Sequence, residues 1–279
     1  MNSYAYYNGR FGKKEDISIP LSDRSIFFGD AIYDAAIGVY DRILWEEDHI
    51  DRFLANASRL DFKHNLNKKY LSSLLREIAV KSMIECYFIY FQLSRNSITR
   101  CHCAKGCGTN LLITIDPIEI KPNNPPLKLI TVNDDRYNLC DIKTVNLLPA
   151  VISMTKANES CCDEAVFIKD GIVTECSKSN IFIINQGRIT THPKSSRILP
   201  GIARDHLLKI CKQNGLEFEE RKFTYDELIY ADEILVTSTT KLCQPAGEIN
   251  NISVGGKNPA LANQLCSQMY QEFADFCII

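Results

Sequence analysis

What the sequence lacks narrows its role before any motif is considered. It has no dominant charge: 32 Lys and Arg stand against 34 Asp and Glu in 279 residues, a formal net charge of −2 with both signs spread along the chain. That leaves no electrostatic footprint for nucleic acid and no basic stripe for a membrane surface. No apolar run is long enough to span a bilayer, and the opening segment MNSYAYYNGRFGKKEDISIP has no apolar h-region. The expectation is a cytoplasmic protein. No internal repeat or low-complexity tract appears, so no repeat architecture is indicated. The apolar fraction of 45% and charged fraction of 24% are those of an ordinary globular protein. A chain of this length fits two modest domains better than one core.

Cysteine is the exception, with twelve residues. In a small secreted domain they would suggest disulfides; in a chain of this size with no leader-type segment, reduced thiols are the better reading. Cys86 and Cys211 fall in helical patterns and read as small core residues. The densest group is TRCHCAKGC, residues 99–107, which places Arg100, His102, Cys101, Cys103 and Cys107 within nine positions. The spacing C-x-C-x3-C, without a second pair, is unlike a paired-cysteine zinc site. No metal is expected there, and the three cysteines read as loop residues, prone to oxidation if exposed.

Periodicity gives the layout. Residues 47–60 and 67–85 carry apolar side chains at helical spacing, while 86–94 and 110–116 are rich in β-branched and aromatic residues and read as strands. The run 116–128 holds four prolines and two asparagines and is the candidate linker, giving an N-terminal α/β domain over 1–118, a linker over 119–127 and a C-terminal domain over 128–279. The second part opens with the strand LKLITVN, and a helical segment follows Lys143. Residues 164–175 and 180–192 read as hairpins turning at Asp170–Gly171 and Gln186–Gly187. A helix over 199–215 has proline at its opening and glycine at its end. Residues 231–240 form a strand running into four hydroxyl residues, and an amphipathic helix runs from the candidate N-cap Asn258 to about Phe276. The fold class is α/β or α+β.

Several residues admit two readings. Lys143 is flanked by Ile142, Val145, Leu147 and Leu148. It is either a side chain that snorkels to solvent or a desolvated amine whose lowered pKa suits Schiff-base chemistry. Glu175 ends a hairpin strand; it is either a solvated edge residue or a buried carboxylate facing a cation such as a protonated pyridine nitrogen. LPGIARD offers N–H groups at Gly201, Ile202 and Ala203 where a helix dipole favours an anion, and TSTT (237–240) offers hydroxyls at a strand end. Together these features describe a phosphorylated aldehyde cofactor.

The ordered set FGDAIYD (28–34), HIDRF (49–53), TRCHC (99–103), DIKTVNLL (141–148), TECSKSN (174–180), ILPGIAR (198–204) and VTSTT (236–240) resembles the class IV, or fold type IV, pyridoxal-phosphate aminotransferases. Among them it is most similar to the D-amino acid aminotransferases, over about residues 7–275. The resemblance implies a two-domain fold with pyridoxal 5'-phosphate at the domain interface. It makes Lys143 the Schiff-base lysine and proton shuttle, and Glu175 the partner of the pyridine nitrogen. Arg52 becomes the phosphate-binding arginine, although its helical position alone would place it on the surface. Ile202 and Ala203 supply N–H donors to the phosphate, Ser238 and Thr239 complete the cup, and Leu199 packs on the ring. Tyr33, Arg100 and His102 match the residues that bind the substrate carboxylate. In the family that loop reaches the neighbouring subunit's active site, which implies a homodimer.

The implied reaction is ping-pong transamination between a D-amino acid, of the D-alanine or D-glutamate type, and a 2-oxo acid. Departures from the family pattern are Ala203 for a threonine, Asp34 for a glutamate, Ala35 for a larger valine, and Cys176 and Lys178 in a loop near the substrate. Ala35 is expected to widen the side-chain pocket, and Lys178 to favour acidic side chains if it points inward. A branched-chain L-aminotransferase and a 4-amino-4-deoxychorismate lyase share the same cofactor chemistry and stand as alternatives, as does a metal-binding protein with an inert Lys143.

Overall fold

Side-chain alternation builds the first sheet. Strands β1 (Tyr4–Tyr7), β2 (Arg10–Lys13), β3 (Ala31–Val39), β4 (Arg42–Ile43), β5 (Cys86–Asn96) and β6 (Gly108–Pro117) pair antiparallel in the order β2-β1-β6-β5-β3-β4. Ile32 and Ala36 of β3, Ile89, Phe91 and Leu93 of β5, and Ile113 and Ile115 of β6 are in phase on one face, as period-2 geometry requires. Two helices, α2 (Glu46–Arg59) and α3 (Lys68–Ser82), cover that face with Ile50, Phe53, Ala57, Leu71, Leu75 and Ile78. Burial of each large apolar side chain contributes about 1.5–3 kcal/mol. The N-cap Asn67 accepts from the Tyr70 N–H and starts α3; Met83, in the left-handed region at φ 56°, ends it. A short helix α1 (Arg24–Phe28) precedes β3, capped by Asp23.

The second sheet is mixed. It comprises β7 (Leu127–Asn133), β8 (Glu164–Lys169), β9 (Ile172–Cys176), β10 (Asn180–Asn185), β11 (Arg188–Thr191), β12 (Phe218–Glu220), β13 (Phe223–Thr224), β14 (Glu233–Ser238), β15 (Leu242–Ile249) and β16 (Ile252–Ser253). The order is β12-β11-β10-β14-β15-β7-β8-β9-β13, with β16 on β15. Helix α4 (Leu148–Glu159) joins the parallel pair β7 and β8, as such a crossover must. Helices α5 (Ile202–Gln213), α6 (Tyr225–Tyr230) and α7 (Pro259–Cys277) complete the unit. The β8–β9 and β10–β11 hairpins turn at Asp170–Gly171 (φ 53° and 77°) and Gln186–Gly187 (φ 50° and 80°), the paired positive φ values of a type I′ turn.

This computed structural model describes residues 3–97, 99–122 and 124–278; Asn123 of the proline-rich run lies outside them. The chain divides into one unit of residues up to Glu119 plus Ile142–Asn146, and a second of Ile120–Asp141 plus Leu147 onward. A single cut at 119–127 puts Lys143 in the C-terminal part, whereas residues 142–146 belong with the first sheet. The cause is a backbone edge. Tyr33 N–H donates to the Lys143 carbonyl at 2.9 Å, Val145 N–H to the Ala31 carbonyl at 3.2 Å, and Ile32 bridges Thr144. For that reason the helix expected after Lys143 starts only at Leu148. The helix read from 199 likewise starts at Ile202, and the Asn258 side chain makes no cap; the Asn258 backbone N–H donates to Glu233 Oε1 at 2.7 Å. Cys211 is buried as expected of a core thiol, but Cys86 only partly; none of the twelve cysteines is in a disulfide. Among the described residues no helix is long and apolar enough to cross a membrane.

Gly29 protects the Lys143 segment. It sits at φ 60°, and an added Cβ would lie 2.2 Å from Oδ1 of Asn146, whose Nδ2 donates to the Gly29 carbonyl. Gly29→Ala should therefore displace Asn146 and raise hydrogen exchange at residues 143–146, with a backbone cost of about 1–2 kcal/mol. Unchanged exchange there would show that the edge pairing does not depend on Gly29.

Candidate active site

The first unit assembles a lysine, a tyrosine and a buried ion-pair triad around β3. Tyr33 and Asp34 are neighbours on one strand and so point to opposite faces. On one face the Lys143 Nζ lies 4.5 Å from the centroid of the Tyr33 ring, which stacks on Tyr90 at 5.0 Å. On the other, Asp34 is fully buried opposite Phe91, where α2 packs. His49 and Arg52, three apart on α2, meet it there. Arg52 donates from Nε to Oδ2 and from Nη2 to Oδ1, each at 2.8 Å, and His49 Nδ1 lies 2.8 Å from Oδ1.

Arg52 is thus no surface arginine: its side chain is 13% exposed, and the fork is fixed in plane by a bidentate carboxylate. Burial alone would raise the Asp34 carboxyl, but the Arg52 charge and the His49 hydrogen bond outweigh it and hold the group well below the usual carboxylate range. Burial lowers His49, only partly offset by Asp34, and the charges of Arg52 and Lys143 lower it further. The ring is neutral at pH 7, and its Nε2 is buried with no hydrogen-bond partner among the described residues. Removing Asp34 or Arg52 would leave the other charge buried and unpaired, at a cost of about 3–5 kcal/mol.

The second unit brings Glu175, Leu199, Ile202, Ala203, Ser238 and Thr239 to neighbouring strand and helix ends, with Asn180 at their centre. Glu175, nearly buried at the end of β9, accepts from Arg136 Nη1 at 2.5 Å, Asn180 Nδ2 at 3.1 Å and Leu199 N–H at 3.0 Å. Asn180 also donates to the Leu199 carbonyl at 2.9 Å and pairs with Thr237 across β10 and β14. Gly201, the N-cap of α5, lies so close that a Cβ there would meet Asn180 Oδ1 at 2.2 Å. No side chain caps α5, and Ile202 and Ala203 supply its first N–H groups, which have no partner within the helix. The adjacent Thr237 hydroxyl is buried with no hydrogen-bond partner among the described residues. Ser238 Oγ accepts from the Lys241 N–H at 3.2 Å, shaping the turn that carries Thr239.

Arg136 is itself gripped by Asp134 through Nε and Nη2, both at 2.9 Å, and lies 4.2 Å over the Phe167 ring. Burial opposes its charge, but Asp134 and Glu175 overcome this and raise its pKa. The turn between β9 and β10 is fixed by Glu164, fully buried, which accepts from Ser179 Oγ at 2.5 Å, Lys178 N–H at 2.8 Å and Lys241 Nζ at 3.2 Å.

Arg100 and His102 lie elsewhere in the first unit. Both are exposed, with Arg100 5.0 Å and the His102 ring 5.2 Å from the Phe28 centroid. Among the described residues neither hydrogen-bonds to Tyr33 nor stacks on its ring, which packs on Tyr90 and lies beside Lys143. No group of three or more His, Cys, Asp or Glu among the described residues could hold a metal ion. The residues of the second unit fit a phosphorylated pyridine: an uncapped helix N-terminus and a hydroxyl without a partner among the described residues for an anion, and an arginine-braced carboxylate for a ring nitrogen.

Sequence reasoning did not single out His49, Arg136, Asn180 or Arg24, nor pair Asp34 with Arg52. One signal was present: an aspartate in phase with Ile32 and Ala36 on a strand, and a His-x-x-Arg pair on the facing helix. Arg136 carries no local signal for the site, because Glu175, the carboxylate it braces there, is 39 residues away.

Comparison with known proteins gives one family. The model of the amino-transferase class IV family matches residues 33–249. A D-alanine aminotransferase from Bacillus licheniformis is 34% identical over 258 residues, covering 91% of this chain and 90% of the relative. The fold matches the branched-chain aminotransferase of Thermoproteus uzoniensis with a TM-score of 0.88 at 19% identity, covering 99% of this chain and 97% of that one. It also matches a putative 4-amino-4-deoxychorismate lyase from Legionella pneumophila, with a TM-score of 0.85 at 24% identity, covering 93% and 97%.

The triad has a pH signature. Below about pH 6.5 an unfolded histidine binds a proton that the depressed, folded His49 refuses, so stability falls as pH drops through that region. His64 and His192, also lowered by burial, add to the slope. His49→Gln should flatten the fall in urea-unfolding free energy between pH 7.5 and 5.5 by roughly 1 kcal/mol. An unaltered slope would mean that His49 is protonated in the folded protein.

Proposed function

The chain belongs to the class IV aminotransferases, and on that premise we propose that it transfers amino groups between D-amino acids and 2-oxo acids in the cytoplasm, as a homodimer with pyridoxal 5'-phosphate. The observation that carries the cofactor reading is the brace of Arg136, Asn180 and Leu199 N–H on Glu175, built against the uncapped start of α5. When bound, the cofactor supplies an electron sink that makes the Cα–H bond of an amino acid acidic.

The chain's own residues do the rest. Glu175 holds a proton at the ring nitrogen. The N–H groups of Ile202 and Ala203, with Ser238, Thr239 and Arg52, bind the phosphate, and Leu199 packs on the ring. Ala203 offers no hydroxyl, so the contact there falls to its N–H alone. Lys143 Nζ takes the proton from Cα and returns it on the cofactor side, as a general base and then acid. Arg100, His102 and Tyr33 bind the substrate carboxylate, for which a planar guanidinium and a neutral hydroxyl are suited. The D-amino acid reading is supported by the Arg-x-His pair together with curated relatives that are D-alanine aminotransferases at 30% identity and above. A dimer is supported by the exposed apolar residues Leu147, Leu148, Val151 and Ile152 around the start of α4.

Absorption spectra of the cofactor-loaded protein test this reading. Bleaching of the yellow band by D-alanine or D-glutamate, reversed by 2-oxoglutarate, is expected; bleaching by L-leucine alone would favour the branched-chain chemistry, and a band indifferent to all amino acids the lyase. Ala35, buried across from Tyr90, is two methyl groups smaller than the valine of the family pattern. Ala35→Val should lower kcat/KM for D-phenylalanine more than for D-alanine, and equal loss on both would sink the pocket argument.

A further inference from the structure

We propose that Arg24 is a positioning residue that sets the geometry of the Arg100–His102 loop, and through it the affinity for the substrate carboxylate. This rests on the reading of that pair as the carboxylate-binding group. The Arg24 side chain is 5% exposed and uses three of its nitrogens at once. Nε donates to Asp30 Oδ2 at 2.7 Å, Nη1 to the carbonyl of Cys101, and Nη2 to the carbonyl of His102 at 3.2 Å. Those carbonyls belong to the two residues that directly follow Arg100. The guanidinium therefore holds the peptide units on both sides of the His102 Cα while leaving the His102 and Arg100 side chains exposed.

The Phe28 ring completes the mount. It lies 4.6 Å from the Arg24 guanidinium, 5.0 Å from that of Arg100 and 5.2 Å from the His102 ring, so one aromatic side chain touches all three. The mount has a rigid base. Asp23, 1% exposed, caps α1 by accepting from Ser25 N–H at 2.9 Å, and it also accepts from Ser94 Oγ at 2.6 Å and Asn110 Nδ2 at 2.7 Å. The backbone of Arg24 is thereby tied to β5 and β6.

Asp30 ties the mount to the first sheet. It is shared between Arg24 and Arg95, whose Nη1 donates to Oδ1 at 2.6 Å. It also immediately precedes β3, three positions before Tyr33. The chain Arg24–Asp30–β3 thus fixes the Arg100–His102 loop to the first sheet of its own subunit, the base from which it would reach the neighbouring site in the proposed homodimer. Only an arginine can do this: a lysine amine could keep the Asp30 contact, but as a point charge it lacks the planar fork that holds two carbonyls and a carboxylate together. A residue whose sole task was to neutralise Asp30 would need no fork.

The test measures the KM for D-alanine, the kcat, and the inhibition constant of propionate, a carboxylate without an amine. It uses the cofactor-loaded Arg24→Lys, Asp30→Asn and Arg100→Lys proteins. Arg24→Lys should raise both KM and the propionate constant about tenfold, or about 1.4 kcal/mol, with kcat within about twofold and the cofactor band unshifted. Asp30→Asn should move the same two constants in the same direction and serves if Arg24→Lys does not fold. A rise in both constants for Arg100→Lys with none for Arg24→Lys and Asp30→Asn would overturn the positioning role and leave the carboxylate reading intact. No rise for Arg100→Lys would overturn both. A fall in kcat and stability with no change in the propionate constant would show that Arg24 is merely structural.

Discussion

The start of β3 has an open edge, and the candidate chemistry depends on what fills it. β4 pairs only with Gly38 and Val39, so Ala31–Tyr33 offer unsatisfied backbone groups on that side. Residues 142–146 take those groups, and Lys143 is delivered beside Tyr33 by main-chain hydrogen bonds rather than by side-chain packing. Backbone pairing of this kind fixes register as well as position, since a slip of one residue would turn Lys143 to the other face. The glycine at 29 and the amide of Asn146 close the turn around it.

The same strand sorts two functions by its pleat. Odd-numbered Tyr33 faces the lysine, and even-numbered Asp34 faces the helical layer, where it holds His49 and Arg52. The aspartate is one methylene shorter than the glutamate of the family pattern, yet it reaches both partners at 2.8 Å. A charged group in an apolar layer is tolerated only when paired, and here the pairing converts a liability into a fixed guanidinium. The second unit repeats that logic on a different scaffold, with Asp134 bracing Arg136, Arg136 bracing Glu175, and Asn180 tying Glu175 to Leu199.

The elements were legible where the signal is local. Hairpin turns at Asp170–Gly171 and Gln186–Gly187, the periodic helices α2, α3 and α7, and the strand ending in TSTT need only neighbours in sequence to declare themselves. Lys143 and Glu175 drew attention by type and context, but their placement did not follow from it. Arg52 read as a surface residue because helical periodicity reports the apolar stripe, and a buried ion pair lies off that stripe. Arg24 and Arg136 gave no signal, because the site groups they hold are far along the chain even though each has an aspartate nearby: Cys101 is 77 positions from Arg24, and Glu175 is 39 from Arg136. The membership of 142–146 in the first unit was invisible for the same reason, as an open strand edge is a property of the assembled sheet.

In the proposed function Lys143, presented at the edge of β3, takes the cofactor. Borohydride treatment of the pyridoxal-phosphate-loaded protein followed by peptide mass mapping tests it most directly. A stable pyridoxyl label confined to Lys143, and abolished in Lys143→Ala, is expected. A label on Lys178 or Lys241 instead, or none on Lys143, would contradict it.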